Sequence, residues 1–134
     1  MCIASKYVNQ LEGITRRMEK DLKKLSLKQS EYDKLISEKY HRIETSTFNA
    51  SEGYYLAKDL QELLRKRRSV KDEIFRMHIL YKDIDKRQID SSIVKSKSSL
   101  CQARKDADTY KKEWKYTYKI EELLQGNEQA YEIH

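Results

Sequence analysis

Proline is absent from this chain, and glycine occurs only three times, at Gly13, Gly53 and Gly126. With so few breakers, almost nothing interrupts a helix before tertiary contacts act. Runs of valine or threonine that would favour strands are also scarce. No apolar stretch is long enough to span a bilayer, and the N-terminus carries no secretory signal. The two cysteines, Cys2 and Cys101, have neither CxxC spacing nor an adjacent histidine. Together these absences point to a reducing, cytoplasmic setting, with both thiols as bystanders. The isolated glycines also exclude a glycine-rich phosphate loop.

What is present suits long helices. Hydrophobic residues make up 38% of the 134-residue chain and charged residues 37%, too little apolar material for a thick core. Each helix must therefore bury a narrow stripe. The net charge of +6 divides as +3, +2 and +1 over residues 1–45, 46–90 and 91–134. Charge is mixed throughout and there is no basic tail, so composition argues only weakly for nucleic acid.

Three helical segments are expected, at about 4–45, 50–86 and 91–125. In the first, Tyr7, Leu11, Ile14, Met18, Leu22, Leu25, Tyr32, Ile36, Tyr40 and Ile43 fall mostly at steps of three and four. Around residues 45–53 comes the strongest punctuation, where Asn49 and Glu52 read as a capping box. The second segment has the cleanest pattern. Leu56, Leu60, Leu63, Arg67, Val70, Ile74, Met77, Tyr81 and Ile84 alternate steps of four and three, as coiled-coil packing requires. Arg67 is the polar exception. Either it fixes register, or it snorkels outward past Leu63 and Leu64. The third segment, starting at Asp90, Ser91 or Ser92, carries Ile89, Ile93, Ser96, Leu100, Ala103, Ala107, Tyr110 and Trp114, with Trp114 read as core. Gly126-Asn127 reads as a helix stop, leaving 127–134 as a flexible tail.

The architecture these segments predict is all-α, a single domain over 1–126. It is a long antiparallel hairpin, completed either as a three-helix coiled-coil bundle or by dimerisation.

No constellation for catalysis emerges. His41, His78 and His134 lack ligand partners at metal-binding spacing, and acidic pairs such as Asp72-Glu73 and Glu121-Glu122 read as solvated helix surface. No catalytic residue, metal or cofactor is expected. Two features stand out as partner-binding candidates. Arg65-Lys66-Arg67-Arg68 is a basic cluster in which Arg65, Lys66 and Arg68 are the exposed candidates, against the reading of a merely solvated helix face. The stretch from Tyr110 to Lys119 interleaves Lys111, Lys115, Tyr116 and Tyr118 with the only tryptophan, a pattern that suits base stacking or protein anchoring. Tyr54 and Tyr55, near the hairpin tip, form a similar exposed pair.

The stretches His41–Glu44, Phe48–Lys58 and Leu63–Ile74 resemble small helical accessory proteins of bacteriophages infecting Gram-positive bacteria. The resemblance covers about residues 41–74 and carries over no site residues. It implies stoichiometric binding in the host cytoplasm. The expected function is a non-enzymatic inhibitor or adaptor that blocks a host defence or regulatory protein. A nucleic-acid or nucleotide-signal binder and a coiled-coil scaffold are the alternatives. A homodimer is a further partner the thin stripes allow.

Overall fold

The computed structural model describes residues 2–125 and is all-α, with no strand among the described residues. Its three long helices, α1 (Ile3–Thr45), α2 (Ala50–Asp83) and α3 (Lys86–Lys111), pack as a helical bundle. Contacts divide the chain into two units, Met1–Lys97 and Ser98–His134. The expected tail, 127–134, and the stop at Gly126-Asn127 lie outside the described residues.

α1 has 43 residues, about 65 Å at 1.5 Å per residue. Cys2 caps it, its sulfur accepting the Ser5 N–H at 3.4 Å. At the other end the Ser46 N–H closes onto the Arg42 carbonyl. Asn49 then starts α2 as the sequence predicts, its side-chain oxygen accepting the Glu52 N–H at 2.9 Å. Phe48, just before the cap, lays its ring over Gly53, four positions into the helix. A side chain at Gly53 would crowd that ring, which stands 3.2 Å from where a Cβ would be.

The short turn makes α1 and α2 antiparallel. Lys39 meets Asp59 at 3.4 Å, and further down Arg67 meets Asp33. Along α2 the predicted seam holds. Leu56 is buried, and Leu60, Leu63, Arg67, Val70, Ile74, Met77 and Tyr81 are at least half-covered. Ile84 falls at the end of the helix and is exposed. On α1 the partner seam runs through Met18, Leu22, Leu25, Gln29, Tyr32, Ile36 and Ile43. Tyr40 is exposed and Lys39 takes its place, held by its pair with Asp59.

Three boundaries differ from the sequence expectation. α2 ends at Asp83 rather than near 86, and α3 begins at Lys86 rather than near 91. The reason is Asp85, whose carboxylate accepts the Gln88 N–H at 3.2 Å while its carbonyl accepts the Ile89 N–H. It does the capping expected of Asp90, Ser91 or Ser92, and Asp90 instead pairs with Lys86 at 2.8 Å, one turn away. α3 also stops at Lys111 rather than 125. The Trp114 N–H folds back onto the Lys111 carbonyl in a tight turn. Trp114 thereby leaves the stripe and is 51% exposed, where a core position was expected. Helix resumes over 120–125.

Within the first unit, α3 runs along the N-terminal part of α1. Lys86 pairs with Glu19 and Lys97 with Glu12, so advancing along α3 means retreating along α1. α3 is therefore antiparallel to α1, as α2 is. Val8 and Ile93 are buried and line one groove at this contact, and Thr15 on α1 is buried too, its hydroxyl donating to the Glu12 carbonyl.

Candidate functional site

The basic cluster on α2 is sorted by its neighbours. Arg67 projects toward α1 and gives its Nε–H to the Asp33 carboxylate. Lys66 turns back one turn to Glu62 at 2.9 Å, and this carboxylate holds the ammonium above the ordinary lysine range. Among the described residues, Arg65 and Arg68 have no carboxylate partner. Two of the four cations are thus internally neutralised, and two remain available to a ligand.

Those two share a groove. Arg65 and Arg68, with Ala57, Leu60, Gln61, Leu64 and Arg67, line a shallow depression of about 510 Å³. Its floor is apolar and its rim cationic. Helical geometry extends the face beyond the groove, because Leu64, Arg68, Phe75 and Ile79 are spaced by four, seven and four and so lie on one side of α2. Phe75 is 66% exposed and Ile79 is exposed too. This second stripe lies about 100° around the helix from the seam residues Leu56 and Ile74, so α1 leaves it uncovered.

Sequence reading located Arg65 and Arg68 but missed Leu64, Phe75 and Ile79. The signal was present in their spacing. The stronger heptad of the seam overshadowed it.

Of the other first-unit candidates, Tyr54 and Tyr55 do not line this groove. They are exposed on the first turns of α2, their rings edge-on at 5.5 Å. In the second unit, Tyr110 and Trp114 stack tilted at 6.1 Å. Lys111 sits 5.3 Å from the Trp114 ring centre and Lys115 6.0 Å from that of Tyr116. These cations and rings face each other, and Tyr118 is the most exposed aromatic of the stretch.

Among the described residues, no cluster of three or more His, Cys, Asp or Glu side chains is placed to hold a metal, and no helix is long and apolar enough to cross a membrane.

The fold and surface define a class, an all-α helical hairpin with an uncovered cationic and apolar face. Comparison with known proteins takes the assignment no further: no family model, curated protein or solved structure matches the chain.

Proposed function

We propose that this chain is a non-enzymatic binding protein that docks a target protein on the outer face of α2. The observation that carries this reading is the pairing of unneutralised Arg65 and Arg68 with the apolar groove at Leu60 and Leu64. Arginine at the edge of an apolar pocket is a common anchor of protein interfaces. The fitting ligand is an amphipathic helix whose apolar anchors enter the groove and whose carboxylates meet the two guanidiniums. Occupying such a helix blocks whatever it otherwise contacts. The phage resemblance suggests a host defence or regulatory protein as the target, met in the host cytoplasm.

The test is capture from host lysate at physiological salt, comparing the wild-type chain with an Arg65→Ala/Arg68→Ala variant. One protein should be retained stoichiometrically by the wild type. The variant should bind it at least about tenfold more weakly, the cost of losing about 1.4 kcal/mol. Equal retention by both would sink this reading.

A phosphate-bearing ligand is the alternative that Arg65 and Arg68 also suit. It predicts nucleic-acid or nucleotide binding that weakens steeply with salt, with a shallower slope in the same variant. The protein reading is favoured because the groove floor is apolar, and because Lys111 and Lys115 lie over the chain's own rings.

A further inference from the structure

The N-terminal third of α1 carries two stripes, one residue apart. Val8 and Thr15 are buried, and Ser5 and Glu12 are half-covered. Ile3, Tyr7, Leu11 and Ile14 are exposed, Tyr7 by 63%. A one-residue offset on a helix is a rotation of about 100°. α3 therefore packs to one side of the line that α2 covers from Met18 to Ile43, and the continuation of that line is left open. The ion pairs Glu12–Lys97 and Glu19–Lys86 close one side of the α1–α3 contact. The other side opens as an apolar groove of about 340 Å³, with Val8, Leu11, Ile89 and Ile93 on its walls and Ser92 and Ser96 keeping it shallow. Asp85, at one end, is occupied in capping α3.

We propose that this face is where a second copy of the chain docks. The α1–α3 layer of each copy packs on that of the other about a two-fold axis, giving a four-helix bundle. Two observations select a like chain as the occupant.

The first is uncovered apolar surface: Ile3, Tyr7, Leu11 and Ile14 keep 41–63% of their surface exposed on one side of α1, beside the apolar groove. Among the described residues, only Val8, Ile36, Leu56 and Ile93 are buried hydrophobics, and no side chain falls below 2% exposure. A core this thin needs a cover whenever the chain folds, and another copy is always at hand.

The second is charge. With a net charge of +6, two copies repel unless they meet on a neutral face. Ala4 and Gln10 flank the exposed stripe and are uncharged. Lys6 and Arg16 leave the helix from other sides, and Arg17 lies past the stripe's end. The α2 groove, rimmed by arginines, is the opposite case and suits a foreign acidic partner. The two faces are separate, so failure of one reading leaves the other standing.

The test is the mass of the purified full-length chain by light scattering across a wide concentration range. The expected value is twice the 16.1 kDa of one chain. Leu11→Glu buries a charge in the interface and should weaken the dimer by about 100-fold or more. A second measurement does not depend on how that variant folds. On a Cys2→Ser/Cys101→Ser background, Tyr7→Cys should be trapped as a covalent dimer by a short bis-maleimide, and Lys20→Cys, on another side of α1, should not. A mass of one chain at every concentration would overturn the proposal, whether another protein covers the face or none does. So would a dimer that traps equally well through both cysteine positions.

Discussion

Arg67 occupies a seam position on α2 with its guanidinium on Asp33, and both side chains keep partial access to water, 31% and 48% exposed. Ion pairs in that setting contribute about 0–1 kcal/mol. An apolar side chain at the same place buries surface against α1 without that cost. Arg67→Leu should therefore stabilise the hairpin by about 1 kcal/mol in urea denaturation. The charge at this site then serves to set which residues of α1 face which of α2, a known use of a polar seam residue. A lower midpoint for the variant would show the ion pair to be worth more than its exposure suggests. Gly13 presents a simpler case. It sits inside α1 with nothing within 4 Å of where a Cβ would stand. Gly13→Ala removes backbone entropy from the unfolded chain and should add about 1 kcal/mol, read from the same denaturation curves.

At the scale of elements, the docking of α3 on α1 depends on charge more than the α1–α2 pair does. The hydrogen bond from Lys97 to Glu12 lowers the Glu12 carboxyl below the ordinary glutamate range. A depressed carboxylate contributes stability above its ordinary pKa, and that contribution is lost as pH falls through the ordinary range toward the shifted value. Lys86 has the opposite sign. Its bonds to Asp90 and then Glu19 raise it, so its contribution is full below the ordinary lysine range and is lost as pH rises from there through the raised value. Acidification should therefore loosen α3 first. Amide exchange across Val8–Thr15 and Ile89–Lys97 should rise as the pH drops below about 4.3, before exchange rises along Leu56–Ile74, and it should stay flat on the alkaline side to about pH 10. Simultaneous loss of protection in both regions would mean that the α1–α3 contact is not an independent unit of opening.

For the whole molecule, the proposed dimer makes stability depend on concentration. The thermal midpoint should rise as the chain is concentrated, because association draws on the folded state only. A midpoint independent of concentration would place the whole stability within one chain.

Much of this was legible in the sequence. The absence of proline, the Asn49–Glu52 start and the unbroken heptad from Leu56 to Tyr81 determined two long antiparallel helices, because each rests on local geometry. The availability of Arg65 and Arg68 was only half legible, since it hangs on Glu62 and Asp33 taking their neighbours. Tertiary structure alone decided which side of α1 the third helix covers. Val8 and Thr15 repeat at helical spacing just as Tyr7, Leu11 and Ile14 do, so periodicity favours the larger side chains and reads the wrong stripe as core. The break at Ile84-Asp85 and the pairs Glu12–Lys97 and Glu19–Lys86 set α3 about 100° away from that stripe. Those contacts join residues far apart in the chain, and no local pattern encodes them.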